Sequence, residues 1–376
     1  MQDGWARFDG PGGTQMVDVA IDAMSEYLRS GHNANSHGEF AASAATDAMV
    51  GASRASVGRL LGCDPNAVVF GPNMTSLMFS FTRAIARTLQ PGDEIVCTRL
   101  DHDANVTPWV LMARDAGAKV VFAEFDASSG RLPVDAVTSV LSERTRWVAV
   151  SGASNAIGTM PDVTAIATAA HAAGARVLVD AVHLTPHRRI DVGEMGCDVL
   201  VCSPYKWYGP HAGVLCGNPD LLASITPYKV RPASNATPNR FETGTPSFEA
   251  IAATGAAAEF LLDLGMDQVA AHEAELFEPL LAALLANDRV RVHGPRDVSD
   301  RTPTVSFTVE GYSPDEVARR LAADRVAVWS GDYYAVEVMA ALGLADSGGA
   351  VRAGLSVYSD ADDVDRLLAS IATLTG

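Results

Sequence analysis

Between about residue 50 and residue 220, short apolar runs rich in β-branched residues alternate with Ala-rich segments that have helical spacing. The pattern predicts strands at 67–70, 94–98, 119–123, 147–151, 176–180, 199–203 and 213–216, with helices at 76–88, 107–115, 133–141 and 163–173. Strands that alternate with helices are joined by crossover connections, which produce a mostly parallel sheet covered on both faces. This region therefore predicts a doubly wound α/β domain.

The pattern changes after Pro246, where helices become longer and strands fewer. The predicted elements are, in order, helices at 248–264 and 266–285, strands at 289–292 and 304–309, a helix at 314–323 and a last helix from about residue 360. A chain of 376 residues is also too long for one core, which favours two domains. We expect a large domain at 18–258 and a smaller α+β domain formed by 259–376 together with 1–17.

Charge and cysteine content exclude several classes of function. The formal net charge is −17 and the 28 Lys and Arg residues are scattered, which argues against nucleic acid as a partner. No apolar run is long enough to span a membrane, and the N-terminus lacks a basic stretch followed by an apolar one, so we expect a cytoplasmic protein without a membrane partner. Five cysteines without zinc-ligand spacing predict neither a disulfide framework nor a metal site.

A carboxylate and an amine follow two of the predicted strands. Asp180 ends the run 176–180 and Lys206 comes shortly after 199–203, so both lie at the carboxyl edge of the sheet, where open α/β folds bind ligands. Taken singly, Asp180 also fits a residue that caps the next turn, and Lys206 fits a surface lysine. Pyridoxal phosphate (PLP) requires a lysine amine for its Schiff base and a carboxylate on its pyridine nitrogen, and the pair supplies both.

The segment 203–210, SPYKWYGP, together with the strand that ends at Asp180, resembles the class V aminotransferase family, which includes cysteine desulfurases and isopenicillin N epimerase. The family's motifs recur in order along nearly the whole chain, although 8–14, FDGPGGT, replaces its usual Asp-Asn-Ala-Ala entry. The resemblance implies PLP fold type I, the aspartate aminotransferase-like fold, with the cofactor on Lys206. Ser203 and Tyr205 are then cofactor contacts beside the lysine.

Two motifs in the first half of the chain resemble cofactor-binding segments of the family. The segment 70–76, FGPNMTS, is a small polar turn before a helix, and backbone N–H groups at a helix N-terminus bind anions. The resemblance assigns the phosphate to the Met74 N–H and to Thr75. In the segment 100–105, LDHDAN, the family's histidine stacks on the pyridine ring and relays protons, and His102 takes that role here.

Four further residues are assigned by the resemblance alone. Asn155 binds the phenolic oxygen of PLP and the substrate carboxylate, and His183 contacts the same phenolic oxygen. Thr245, within RFETGTP, reaches the phosphate of the neighbouring subunit, which implies a homodimer with shared active sites. Arg352 binds the substrate carboxylate, a bidentate task suited to a guanidinium group.

The chain departs from cysteine desulfurases at the loop that carries their nucleophile. Those enzymes read Arg-x-Gly-His-His-Cys-Ala, whereas residues 329–335 read WSGDYYA here. Tyr334 stands at the cysteine, Trp329 at the arginine as a candidate substrate contact, and Asp103 replaces a second histidine in the earlier motif. No cysteine follows Cys216, and a phenol cannot form a persulfide. The chain is therefore similar to a desulfurase-like subgroup that lacks the catalytic cysteine and has no assigned activity.

A PLP enzyme without that cysteine keeps the groups that remove an α-proton from an amino-acid substrate. We expect elimination of a β-substituent, sulfur in a cysteine-like amino acid, with Lys206 as base, Asp180 maintaining the electron sink and Tyr334 or His102 protonating the leaving group. Transamination or epimerisation of a small amino acid would use the same residues. The alternatives from outside this chemistry are a non-catalytic partner protein with the same fold and, for Tyr334, packing at the domain interface.

Overall fold

Strands and helices alternate along much of the chain in the computed structural model, which describes residues 4–376. The strands are β1 (Ala6–Arg7), β2 (Val69–Gly71), β3 (Glu94–Thr98), β4 (Lys119–Ala123), β5 (Thr145–Ser151), β6 (Arg176–Asp180), β7 (Val199–Cys202), β8 (Gly213–Gly217), β9 (Val290–His293), β10 (Thr304–Val309), β11 (Val326–Ala327), β12 (Trp329–Gly331) and β13 (Ala350–Gly354). The α-helices are α1 (Asp18–Arg29), α2 (Ala41–Leu61), α3 (Met74–Ala86), α4 (Thr107–Ala116), α5 (Val134–Thr138), α6 (Val163–Ala172), α7 (Val192–Met195), α8 (Pro219–Ser224), α9 (Phe248–Leu264), α10 (Met266–Ala286), α11 (Pro314–Ala323), α12 (Val336–Ala341) and α13 (Ala361–Thr375).

The larger sheet has seven strands within residues 4–376, in the order β2-β8-β7-β6-β5-β3-β4. β8 runs antiparallel to β2 and β7, and the other neighbours are parallel. Successive residues of β3 point into two different apolar cores, with Val96 in one and Ile95 and Cys97 in the other. This burial of both faces explains the nearly continuous apolar runs in the sequence. The predicted doubly wound α/β fold with a mostly parallel sheet is confirmed.

A second, antiparallel sheet has the order β12-β13-β10-β9. Its core contains Phe277 of α10, Phe307 of β10 and Val351 of β13, and Phe8 from the N-terminal segment packs into the same core. β1 extends this part of the molecule by pairing with β11. The N-terminal segment is thereby fixed against the later part of the chain.

After β1 the chain passes between the two sheets. The close approach of Pro11 to β13 requires a glycine, because a Cβ atom on Gly354 would lie 2.2 Å from Pro11 Cγ. Thr14 then donates its N–H to the Tyr205 carbonyl at 2.9 Å. The turn over Gly10–Gly12 is therefore placed beside the segment that follows β7.

Three predicted boundaries were wrong for local reasons. The strand predicted at 67–70 begins at Val69, because Pro65–Ala67 forms a helical turn capped by the Asp64 side chain. The helix predicted at 76–88 begins two residues earlier, because the Asn73 side chain accepts the Ser76 N–H at 2.8 Å and caps it. The helix predicted at 133–141 ends at Thr138, before the turn that leads into β5. The earlier start of α3 places its N-terminal N–H groups at the sheet edge.

The sequence pattern did not predict α1 and α2. α2 is composed largely of Ala, Ser and Gly, so it lacks the broad apolar stripe that identifies a surface helix. It packs closely on α9, where a Cβ atom on Gly255 would lie 2.6 Å from Ser53 Oγ. Within residues 4–376, none of the helices has the length and hydrophobicity that crossing a bilayer requires.

Candidate active site

The ends of β3, β5, β6 and β7 and the N-terminus of α3 surround a cavity of about 470 Å³. The residues predicted to contact the cofactor that line it are Met74, Thr75, His102, Asn155, Asp180, His183, Ser203, Tyr205 and Lys206. Five separate segments of the chain thus meet at the carboxyl edge of the sheet, where the sequence predicted a ligand site.

A wider outer cavity of about 1430 Å³ continues from this inner one. Thr75, His102, Asn155 and Lys206 line both cavities, so the two form one continuous site. The predicted substrate contacts Arg352 and Trp329 line the outer part, as does Tyr334. The second sheet therefore supplies one wall of the site, since Trp329 pairs with Arg352 across β12 and β13.

Thr245 is the predicted site residue that the described chain does not bring to this site. It lies in an exposed turn and lines a separate cavity with His211 and Glu242. The turn is anchored because both carboxylate oxygens of Glu242 accept from Arg54, at 2.8 and 2.7 Å. The assignment of Thr245 to a neighbouring subunit's phosphate stays a prediction.

Lys206 ends a helical turn, Pro204–Lys206, that follows β7. Its ammonium group donates to the Pro11 carbonyl and lies 5.2 Å from the centroid of the Tyr205 ring. Burial lowers the pKa of Lys206 to about 7; the positive charge of Arg352 adds to this effect and Asp180 opposes it. A substantial fraction of the amine is therefore neutral near pH 7, as a nucleophile or a base requires.

Asp180 is the last residue of β6 and is 3% exposed. Its Oδ1 accepts the Val182 N–H at 2.9 Å, and burial raises the pKa of the carboxyl to about 7. A cationic ring nitrogen placed beside this carboxylate would favour its ionised form. The residue therefore has the position and the chemistry of a partner for a protonated pyridine.

A second buried carboxyl, Asp101, lies near Asp180 and was not singled out from the sequence. It accepts from the Asn105 amide at 2.7 Å and from the Thr98 hydroxyl. Burial, to which the negative charge of Asp180 adds, raises the pKa of Asp101 to about 8. The LDHDAN motif thus contributes a buried, hydrogen-bonded carboxyl near Asp180 as well as the histidine.

His102 is held in one tautomer. Its Nδ1 accepts the Ala104 N–H at 3.0 Å, so the proton of the neutral ring is on Nε2. Burial, followed by the charges of Lys206 and Arg352, lowers the pKa of His102 to about 4. The ring is therefore neutral near pH 7, and it stacks on Tyr334 with 5.6 Å between ring centroids.

Arg352 is 4% exposed, yet it forms no ion pair within residues 4–376. Its Nη1 donates to the Asn155 carbonyl at 2.9 Å, its guanidinium carbon lies 4.3 Å from the Tyr333 ring centroid, and its Nε has no partner. Burial lowers the pKa of Arg352 to about 10, which leaves it charged near neutral pH. A buried cation with unused donors is a site for an anion.

Asn155 also keeps an unused polar atom. Its amide nitrogen donates to the Tyr333 carbonyl at 2.9 Å, whereas its buried Oδ1 has no partner in the described residues. His183 contacts two hydroxyls that the sequence did not connect to it, with Nε2 at 3.0 Å from Thr304 Oγ1 and 3.2 Å from Thr302 Oγ1. Burial lowers the pKa of His183 well below its usual value, so its ring is neutral.

The loop after β12 closes one side of the outer cavity. Tyr333 and Tyr334 both have φ of 57°, a left-handed conformation that is uncommon for aromatic residues. The Tyr334 carbonyl accepts the Asp103 N–H at 2.7 Å, which fixes the loop to the segment that carries His102. The Tyr334 ring itself is 72% exposed. Backbone strain of this kind occurs preferentially at ligand-binding sites.

The sequence profile of the aminotransferase class V family matches residues 7–367. The chain belongs to the class V aminotransferase family. The chain is 31% identical to an uncharacterized protein of Mycobacterium tuberculosis, over 99% of its own length and 96% of the relative's. It is 33% identical to a probable cysteine desulfurase of Pseudomonas putida, with coverage of 95% and 90% of the two chains.

Solved structures show the same relationship. The apo structure of a cysteine desulfurase from Thermococcus onnurineus superposes with a TM-score of 0.94 at 26% identity, covering 99% of this chain and 94% of that one. The cysteine desulfurase CsdA from Escherichia coli gives a TM-score of 0.90 at 26% identity, with 99% and 95% coverage. The predicted PLP fold type I is confirmed.

Members of the class V aminotransferase family and cysteine desulfurases use PLP, and this family member is a PLP-dependent enzyme. The residues present fit the cofactor. The inner cavity offers an amine at Lys206, a carboxylate at Asp180 and the N-terminus of α3, and it leaves the Asn155 Oδ1 without a partner. When bound, PLP with a protonated ring nitrogen accepts the electron pair that remains after a bond at Cα breaks.

Proposed function

We propose that this protein is a PLP-dependent lyase that breaks the C–S bond of a cysteine-like amino acid by β-elimination and forms no persulfide. The observation that carries the proposal is which side chains line the two cavities. Arg352, a buried cation without an ion-pair partner in the described chain, lies in the same cavity as Lys206. Within residues 4–376, none of the side chains that line either cavity is a cysteine.

The thiols of this chain are poorly suited to accept sulfur. Cys97, Cys197, Cys202 and Cys216 are buried, and Cys63 is half-buried. Burial raises the pKa of Cys197 and of Cys202 to about 12, so both remain protonated at neutral pH. A thiolate is the species that attacks sulfur, and thiols in this state are inert. The sulfur of the substrate would therefore leave as a free thiol or sulfide.

Each step can be attributed to a residue of the cavity. Arg352 binds the substrate carboxylate and thereby directs the Cα–H bond toward Lys206, whose neutral amine takes the proton on Nζ. The electron pair left at Cα then expels the β-sulfur, so that the Cα–H and Cβ–S bonds break and one C–C double bond forms. Hydrolysis of the eliminated amino acid gives pyruvate and ammonia. Tyr334 is placed at the outer cavity, where the departing sulfur needs a proton.

The test is product analysis with the purified PLP-loaded protein. We expect equal amounts of pyruvate and thiol from S-alkylcysteines, with no persulfide in the protein by mass spectrometry. Lys206→Ala should abolish turnover, whereas Lys119→Ala, which alters an exposed lysine on β4, should not. A keto acid that retains the side chain would establish transamination, an inverted α-carbon would establish epimerisation, and a protein persulfide would overturn the assignment.

We also propose that the active unit is a homodimer to which each subunit lends Thr245. Thr245 lies in an anchored, exposed turn away from its own Lys206. Apolar side chains on the N-terminal part, Ile21, Leu28 and Phe40, are 44%, 49% and 58% exposed, which is typical of a covered interface. Light scattering should give a dimer. In addition, Lys206→Ala and Thr245→Ala subunits, each poorly active alone, should regain activity when mixed, and an active monomer would contradict this proposal.

A further inference from the structure

The outer cavity carries charges of both signs at different depths. Lys206 and Arg352 line it and Arg352 is 4% exposed, whereas Asp103, which also lines it, is half-buried and Asp332 is exposed. Both carboxylates accept from neutral donors. Asp103 accepts the Thr107 hydroxyl on both oxygens at 2.9 Å, and Asp332 accepts the Tyr334 N–H at 2.9 Å. Neither forms an ion pair within the described residues, and both line the cavity.

The two carboxylates belong to segments that are fixed to each other. The Asp103 N–H donates to the Tyr334 carbonyl at 2.7 Å, and this contact joins the end of β3 to the loop after β12. Burial lowers the pKa of His102, and Asp332 is close enough for its negative charge to act in the opposite direction. The carboxylates are therefore held on adjoining walls of one cavity mouth.

Aromatic rings complete this mouth. Tyr334 and Trp329 line the mouth and are 72% and 49% exposed. Phe79 of α3 lines the same cavity. Faces of aromatic rings attract cations, and this attraction adds to that of nearby carboxylates. An anionic group at the same place would meet two like charges. The mouth thus favours a positively charged group.

We propose that the enzyme selects substrates whose side chain ends in a cation, held by Asp103, Asp332 and the Tyr334 ring while Arg352 holds the α-carboxylate. The proposal rests on the proposed elimination, for which it names the substrate class: cysteine S-conjugates that carry an amine or another cation on the leaving thiol. A zwitterion of this kind matches the charge order of the cavity from interior to mouth. Neutral and anionic conjugates of the same length match it less well.

Three conjugates of similar size test the order of preference. For the PLP-loaded enzyme, kcat/KM from pyruvate release should fall from S-aminoethylcysteine to S-propylcysteine and again to S-carboxymethylcysteine. Ion pairs at a partly exposed site are worth about 1 kcal/mol or less each, so two carboxylates predict a preference of roughly tenfold over the neutral conjugate, reduced by salt. Equal values for the cationic and neutral conjugates would overturn the proposal.

Charge-neutralising variants identify the residues responsible. Asp103→Asn and Asp332→Asn should each reduce the ratio of kcat/KM for S-aminoethylcysteine to kcat/KM for S-propylcysteine by roughly threefold. Asp346→Asn removes the same charge from an exposed turn outside both cavities and should leave the preference intact. An unchanged preference in both active-site variants would contradict the assignment to these carboxylates.

A binding measurement separates this proposal from the proposed reaction. If no conjugate released pyruvate, the elimination would be wrong, and the charge preference would be decided by the visible spectrum of bound PLP during titration with lysine and with norleucine. Lysine should produce its spectral change at lower concentration than norleucine, and Asp332→Asn should reduce that difference. Equal concentrations would overturn the cation preference independently of the reaction.

Discussion

Arg352→Met tests whether the buried guanidinium binds the substrate carboxylate. The side chain uses Nη1 for the Asn155 carbonyl and leaves Nε without a partner, so donors remain for a ligand. Removing one partner of a buried, hydrogen-bonded charge pair weakens binding by about 2–5 kcal/mol. Since about 1.4 kcal/mol corresponds to a factor of ten, kcat/KM should fall by roughly 30- to 4,000-fold.

The same substitution should have little effect on the free energy of unfolding without substrate. An uncompensated buried guanidinium is destabilising, and methionine replaces it with an apolar side chain that tolerates irregular surroundings. The loss of the hydrogen bond to the Asn155 carbonyl acts in the other direction, by about 1–3 kcal/mol. The two effects oppose each other, so we expect a net change below about 2 kcal/mol.

The assay combines steady-state kinetics with urea unfolding of the same preparations. Arg291→Met is the control, because Arg291 is an exposed residue on β9, in the same sheet as Arg352. Only Arg352→Met should lose kcat/KM, and both should unfold at a similar urea concentration. An unchanged kcat/KM would refute the binding role. A loss of unfolding free energy as large as the kinetic loss would show that Arg352 is structural.

Three other outcomes follow from the geometry. Tyr334→Phe should reduce turnover by roughly 100-fold if the phenol donates a proton, and an unimpaired variant would leave the ring a packing role. kcat should increase as pH rises through about 7, because Lys206, whose pKa is lowered to about 7, acts as a base only when it is neutral. A kcat that does not change between pH 6 and about 8 would contradict this. Gly354→Ala should lower the unfolding free energy measured in urea by about 1–3 kcal/mol, since the added Cβ would collide with Pro11. Gly51→Ala is the control and should not lower it, because a Cβ there would meet no atom within 4 Å.

Residues at the ends of buried strands were predictable from the sequence because the strand pattern itself fixes their position. Asp180 and Lys206 follow continuous apolar runs, and parallel strands bring their carboxyl ends to one edge of the sheet. Contacts between segments that are far apart in the sequence had no comparable signal in the strand pattern. The Pro11 carbonyl reaches Lys206 across 195 residues, and Thr304 reaches His183 across 121.

The proposed substrate preference was not predictable from the sequence for a related reason. Asp103 and Asp332 were visible as departures from the desulfurase pattern, but a carboxylate in a loop is usually solvated and carries no sign of what it faces. Their significance depends on a shared cavity and on the hydrogen bond between Asp103 and Tyr334, which are properties of the folded chain. The division into domains at 258 and 259 stays a prediction.

In the proposed elimination, the titratable groups of the site restrict which residue can supply the proton to the departing sulfur. His102 is neutral because burial lowers its pKa to about 4, and its Nδ1 is occupied by the Ala104 N–H, so it can supply only the weakly acidic proton on Nε2. Lys206 becomes an ammonium group once it has taken the α-proton, and it lines both cavities. We infer that the proton comes from Lys206 or from Tyr334. If Lys206 transfers the proton, the Tyr334→Phe variant should keep its turnover, whereas a loss of roughly 100-fold would assign the transfer to Tyr334.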